Sequence, residues 1–284
     1  MLWLAHQARM VAEATDTESY PPGAVADLKA QVWAELGNAH RVNEQYQEAD
    51  FAFGKAHEYL EEGTGDPSLL ARVLSLEASL RRDQRRASEA VDLFARVYDL
   101  YLQLGERHLA GRALISRGIA SRTAGDPFEA VRCLKQGMEL LDRQRDPQLS
   151  ASAAQSLADA LTASGDYQGA GELLLESGFR ETFAAQPLGL LRLRWVEGQV
   201  HAGLGRLQRA EKILREVREE FLEKDLRYEA ALVGLDLANV WLRQGKAEPV
   251  QGLAEEILAI FESLEIRPEA TKARLILKAA RGSR

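Results

Sequence analysis

The chain has 284 residues, 46% of them hydrophobic but only 7% aromatic, and carries a formal charge of −7 at pH 7. That acidity excludes a general attraction to nucleic acid or to anionic membranes, and the lone Cys133 excludes an intramolecular disulfide. No stretch approaches the roughly 20 uninterrupted apolar residues that a bilayer span needs, so a reducing, cytoplasmic compartment is expected.

The first predicted element is a helix within residues 1–20. Trp3, Leu4, Ala8, Val11 and Ala12 give it an apolar side, and the segment is too short and too polar for a signal peptide. Ala8 lies 41 residues before Ala49, which lies 41 before Ala90. The helix therefore reads as the second half of a repeat whose first half is missing. Leu2, Trp3 and Leu4 are expected to fold down onto the next helices. The sharper alternative is that an upstream domain covered this face, and exposed apolar ends also invite self-association.

From residue 24 onward a short phrase recurs. AGDPFEA ends at Ala130, SGDYQGA at Ala170, GLGRLQRA at Ala210 and RQGKAEPV at Val250, with Gly125, Gly165, Gly205 and Gly245 keeping the same 40-residue step. A fixed period in this range is the signature of stacked repeats. Within one period, Ala110, Ala113, Leu114, Gly118 and Ala120 supply a small-residue helix face. Gly125 can take the left-handed turn, Asp126 can cap the next helix with Pro127 at its first position, and Glu129 would complete a capping box. Ala130, Val131, Leu134, Met138 and Leu141 then form the stripe of a second helix.

Six antiparallel helix pairs follow over residues 24–264. They run from Ala24 to Glu62, Pro67 to Leu104, Arg107 to Gln144, Pro147 to Gly178, Gln186 to Glu223 and Leu226 to Leu264, with a closing helix over 266–282 centred on Pro268 to Ala280. The fourth pair is the weakest, because Gly169, Gly171 and Gly178 each cost about 1 kcal/mol of helix propensity relative to alanine. A short second helix and an irregular link through Phe179 to Ala185 are expected there.

These residues resemble the tetratricopeptide repeat. Trp33, Leu36, Gly37, Tyr46, Ala49, Phe53 and Ala56 carry the likeness best. Gly37, Ala78, Gly118, Ala158, Gly198 and Ala238 fall at the family's small position; Phe53, Phe94, Leu134, Leu174 and Leu214 fall at its bulky one. The likeness covers about residues 24–282, and the 40-residue step departs from the family's period of about 34, as in long-helix variants of bacterial regulatory proteins. The resemblance implies an all-α, right-handed superhelical solenoid of antiparallel helix pairs whose first helices line a concave groove. On this sequence the implied groove residues are Gln31, Asn38 and Arg41, then Arg72, Ser75, Ser79 and Arg82, then Arg112, Ile115, Ile119 and Arg122. Further along come Ser152, Gln155 and Asp159, then Arg192, Trp195 and Gln199, and last Leu235, Asn239, Arg243 and Lys272.

Six of these are arginines between Arg41 and Arg192, so a basic channel beside an apolar patch of Ile115, Ile119 and Trp195 is expected, with the acidic residues mainly outside. The bland alternative pairs these arginines with glutamates of neighbouring repeats. Arginine forks bind carboxylates, which points to an acidic, partly apolar peptide or helix as partner. The groove lacks the paired Lys and Asn pattern with which family members clamp a chaperone's terminal carboxylate.

Signs of catalysis are missing. His6, His40, His57, His108 and His201 show no metal-ligand spacing; His40 and His201 read as packing residues, and Cys133, beside the core position Leu134, reads as an inert thiol. The glycines mark turns and helix contacts, with no phosphate-binding loop. No cofactor and no catalytic residue are expected. The expectation is a non-catalytic protein-interaction scaffold or regulatory module. A peptide-signal sensor, or a subunit controlling a transcription factor, sigma factor or protease, is the alternative. Nucleic-acid binding is disfavoured by net acidity and few groove aromatics.

Overall fold

The computed structural model describes residues 2–15, 18–175 and 187–282. The expected link from Phe179 to Ala185, together with Gly178 and Gln186, lies outside the described residues. Among the described residues every regular element is a helix. These are α1 (Leu2–Glu13), α2 (Pro22–Val42), α3 (Tyr46–Glu62), α4 (Pro67–Asp83), α5 (Ala87–Gln103), α6 (Arg107–Thr123) and α7 (Pro127–Leu140). After them come α8 (Pro147–Ser164), α9 (Tyr167–Leu175), α10 (Pro187–Gly203), α11 (Leu207–Glu223), α12 (Arg227–Arg243), α13 (Ala247–Ser263) and α14 (Arg267–Gly282). The chain divides into two compact units, Met1–Ser156 and Leu157–Arg284, with the boundary inside α8.

The backbone repeats every 20 residues, half the step seen in the sequence. From α4 onward helices begin at residues 67, 87, 107, 127, 147, 167, 187, 207, 227, 247 and 267. The turns explain why. Gly105, Gly125, Gly165, Gly205 and Gly245 adopt φ of 74–91°, and Arg85, Asp225 and Glu265 adopt φ of 55–62° at equivalent places. The residue after each left-handed position donates its N–H back across the turn, Asp126 to Ser121 O and Leu226 to Phe221 O, both at 2.9 Å. This is the Schellman closure. Arg85, Asp225 and Glu265 hold it at a strain of about 1 kcal/mol each, which is why counting glycines misses these turns.

One turn departs from the rule. α7 stops at Leu140, with Leu141 extended. Asp142 then donates its N–H to His108 Nδ1 at 3.2 Å and accepts from the N–H groups of Gln144 and Arg145. Burial, then the charges of Arg145 and Arg112, push the His108 imidazole below its ordinary pKa, consistent with a neutral acceptor. The N-terminal caps follow sequence logic more closely: Asp66, Asp126, Asp146 and Asp166 each accept from a first-turn N–H. The capping box at Glu129 does not form. Its carboxylate is taken by Arg132 at 2.6 Å and Arg117 at 2.9 Å, and Asp126 N–H has already gone to the turn.

Small and bulky positions meet as the pattern demands. A Cβ on Gly37 would lie 3.0 Å from the Phe53 ring, on Gly118 2.7 Å from Leu134, and on Gly198 2.7 Å from Leu214. Ala49, Ala90, Ala130, Ala170, Ala210 and Val250 are all at 0% exposure. In the first unit Phe53 and Phe94 centre the core; in the second, Phe221, Phe261 and Leu214 do. Cys133 is 1% exposed, and burial pushes its thiol up to about 11.

Helix α1 lies on α2 without burying its leading residues. Trp3 and Leu4 are 69% and 64% exposed, Ala8 is exposed, and only Ala12 is buried. Among the described residues no further helix covers that side, so the expected burial of Trp3 and Leu4 does not occur, while Leu2 is half-buried. A polar anchor holds α1 instead: Glu13 accepts from Trp33 Nε1 at 2.7 Å and Tyr59 Oη at 3.2 Å, and pairs with Lys29 at 3.5 Å. Burial pushes the Glu13 carboxyl up, but the Trp33 bond, the Lys29 charge and the Tyr59 bond together hold it below its ordinary value. A depressed carboxyl contributes fully above the unfolded value of about 4.3 and fades as pH falls through the lowered folded one. Proteolysis within α1 should therefore quicken between pH 5 and the more acidic side of about pH 4. Glu13→Gln should flatten that dependence; an unchanged pH profile in the variant would rule out this anchor.

Candidate functional site

The residues expected to line one basic groove divide between the two units. In the first unit the arginines of α2 and α4 are already committed. Arg41 binds Asn38 Oδ1 through Nε at 3.0 Å and Nη2 at 2.9 Å, and pairs with Asp83. Arg72 pairs with Glu35 at 2.6 Å and Arg82 with Asp83 at 3.3 Å. The Ser79 hydroxyl is spent on Ser75 O of its own helix at 3.1 Å. Acidic residues thus stand among the arginines, contrary to the expectation that they lie outside.

Helix α6 differs. Arg112 and Arg122 are exposed and make no ion pair with any described residue. Ile119 is half-buried beside them. Ile115 is 1% exposed, so its assignment to the groove is incorrect. Its side chain fills the space left by Gly137, where an added Cβ would lie 2.9 Å from Ile115 Cγ1. Arg112 borders a cavity of about 360 Å³ whose wall includes Glu35, Arg72, Ser75, Tyr101 and Ser116. Burial pushes the Tyr101 phenol up, opposed by the charges of Arg112 and then Arg72, so both guanidiniums act on one spot. On α8, Ser152 is exposed and Gln155 half-buried.

In the second unit Asp159 is half-buried on α8, and Arg192 is exposed with Glu229 at 3.6 Å. Trp195 and Gln199 of α10, Asn239 of α12 and Lys272 of α14 line a cavity of about 520 Å³. Arg243 instead donates to Ala202 O at 2.7 Å. The sequence reading missed Asp236, which organises this cavity. Its Oδ2 accepts from Trp195 Nε1 and Gln199 Nε2, both at 2.7 Å. Burial pushes the Asp236 carboxyl up, against the pull of these two bonds and of Lys272. A signal was available: the residues at successive 40-residue steps before it are Val196, Ser156, Ser116 and Leu76, so Asp236 is a charge where the register has none.

Among the described residues no group of three or more His, Cys, Asp or Glu side chains could hold a metal ion. His201 is 9% exposed, and burial, then Arg209, lowers its pKa. His40 is half-buried against Gln45 at 2.8 Å. No described helix is long and apolar enough to cross a membrane.

Comparison with known proteins follows from this geometry. No protein-family model matches the chain, and no curated protein matches it in sequence. Solved structures do match in fold. Aspartyl phosphate phosphatase F from Bacillus subtilis is 15% identical with a TM-score of 0.63; the match covers 86% of this chain and 61% of that one. This chain thus spans less than two thirds of that protein. A tetratricopeptide repeat protein from Parabacteroides merdae is 16% identical with a TM-score of 0.57, covering 98% and 92% of the two chains. A Rap protein complexed with competence and sporulation factor is 12% identical with a TM-score of 0.56, covering 100% of this chain and 86% of that one. At these identities the likeness is one of fold. The chain has the fold of tetratricopeptide-type helical-repeat proteins.

Proposed function

We propose that this chain is a non-catalytic, regulatory protein-interaction module whose first unit holds an acidic, partly apolar segment of a partner. The observation that carries the reading is α6, where Arg112 and Arg122 are exposed without a carboxylate while the neighbouring arginines are paired. Arg72 adds a second, exchangeable guanidinium. Its pair with Glu35 is 50% and 40% exposed, and such surface pairs contribute at most about 1 kcal/mol. A ligand carboxylate can take the place of Glu35 there. The hydroxyls of Ser75, Ser116 and Tyr101 offer further donors, and half-buried Ile119, Leu76 and Leu109 supply the apolar contact. The complex of a Rap protein with competence and sporulation factor supports a partner-holding role for the architecture.

Selection of short random peptides against the full chain tests this. Winners should be enriched in Asp and Glu, and their affinity should fall at least about tenfold for each of Arg112→Glu and Arg122→Glu, since a charge-assisted bond is lost. Thermal unfolding should be unchanged, because neither side chain is paired. Winners without acidic enrichment, or affinity indifferent to both reversals, would reject the reading.

A further inference from the structure

The second unit carries a site of opposite character. Trp195 and Gln199 are four residues apart on α10 and so share one face, and both turn an N–H onto the same oxygen, Asp236 Oδ2. Two consequences follow. The Trp195 N–H and one N–H of the Gln199 amide are spent on this oxygen, leaving Gln199 its amide oxygen and its second N–H. Asp236 Oδ1, on the same carboxylate, accepts no hydrogen bond from any described residue. The 520 Å³ cavity thus presents two free acceptors close together, Asp236 Oδ1 and the Gln199 amide oxygen. Lys272 lines it and forms no ion pair with any described residue, and exposed Asn239 offers both a donor and an acceptor. Around these groups the wall is apolar: Leu235 is 7% and Ile276 8% exposed, Leu232 is half-buried, and Leu275 stands at the rim with 62% of its surface open.

A carboxyl that burial pushes up, opposed only by two neutral donors and the Lys272 charge, is brought to its charged form by a cation placed against its free oxygen, so a cation is its natural complement. The apolar wall excludes a small hydrated ion as the best fit and favours a charge carried on an apolar stem. A planar guanidinium matches two acceptors side by side, and it can lie against an aromatic ring. We propose that this cavity is a binding site for an arginine side chain of a partner polypeptide, with Asp236 Oδ1 and the Gln199 amide oxygen accepting from the guanidinium. Leu235, Leu275 and Ile276 hold the apolar residues flanking that arginine, and Trp195 forms the wall beside its stem. Lys272 tunes the site: its charge acts on Asp236, and it weakens the arginine it faces. The site does not depend on the acidic-segment reading of the first unit, and it gives the partner a second, basic recognition element.

The test uses the full chain and three blocked tripeptides, acetyl-Leu-Arg-Leu-amide, its citrulline analogue and acetyl-Leu-Lys-Leu-amide. Citrulline keeps the shape of arginine without the charge. Binding is read from the indole N–H resonance of Trp195, assigned by its loss in Trp195→Phe. The arginine peptide should shift this resonance saturably and bind about tenfold or more tightly than the citrulline peptide, with lysine between them. Asp236→Asn should abolish the preference for arginine over citrulline. Lys272→Ala should enlarge it about twofold or more, since a like charge near the guanidinium is removed. Arg112→Glu with Arg122→Glu should leave it unchanged, which separates this site from the one in the first unit. Equal affinity for the arginine and citrulline peptides, a preference that survives Asp236→Asn, or a preference that falls in Lys272→Ala would each overturn the assignment.

Discussion

Replacing Gly111 by valine is expected to destabilise the protein by about 3 kcal/mol or more, the upper end of overpacking costs. Gly111 on α6 faces Gly137 on α7. A Cβ at Gly111 would lie 2.9 Å from Gly137 O and 3.0 Å from Leu141 N; one at Gly137 would lie 2.9 Å from Gly111 O and 3.1 Å from Ile115 N. These obstacles are backbone atoms, so no rotamer change relieves them. The two helices must separate, and Ile115 and Leu134, at 1% and 0% exposure, lose the contacts that bury them. Gly54 and Gly252 provide the contrast. Both sit inside helices, and an added Cβ meets nothing within 4 Å. Alanine there should stabilise by about 0.5–1 kcal/mol through helix propensity alone. Urea unfolding of the three variants reads both signs in one experiment. A Gly111→Val protein as stable as the wild type would mean that α6 and α7 do not approach so closely.

The second large effect is expected at Phe221, where alanine should cost about 3–5 kcal/mol. This ring is at 0% exposure among Leu214, Val217, Ile257 and Phe261. It also stands edge-on to Trp195, with centroids 6.3 Å apart. Emptying the position thus removes core volume and the support beneath one of the two donors to Asp236. In a stack where each helix leans on its neighbours, the loss should centre on α10 to α13. Amide exchange should quicken there first, and the Trp195 indole resonance should shift. Phe128, at 72% exposure, should tolerate alanine within about 0.5 kcal/mol. If the two phenylalanine variants unfold together, the core of the second unit is not built around Phe221.

Much of this packing is readable in the chain because it follows from residue size at fixed spacing. Ala130, Ala170, Ala210 and Val250, which end the recurring phrases, are fully buried, and Gly37, Gly118 and Gly198 meet the bulky residues the pattern assigns them. The exceptions have distinct physical causes. Arg85, Asp225 and Glu265 close turns in a conformation that glycine favours but does not monopolise, so the 20-residue backbone step hides behind a 40-residue sequence step. Ile115 looks like a groove residue by position, yet Gly111 and Gly137 bring α7 so close that this part of α6 is enclosed. Ala8 matches the register but is exposed, because burial needs a neighbouring helix as well as a small residue.

The site is legible only in part for a related reason. A helix-face assignment places side chains along a surface but does not pair them across it. Arg41, Arg72 and Arg82 are legible as basic residues, but the carboxylates that neutralise Arg41 and Arg72 reach them from the other helix, Asp83 from α4 and Glu35 from α2, and only Arg82 pairs within its own helix. Trp195, Gln199 and Asn239 line one cavity, but the Asp236 carboxylate that joins two of them emerges from contacts between residues 37 and 41 apart in sequence.

Amide hydrogen exchange of the full chain, with and without a selected acidic peptide, tests the central claim most directly. The account predicts new protection concentrated in α4 and α6, around Arg72 and Arg112. Protection confined to α3, α5 and α7, or none at saturating peptide, would contradict it.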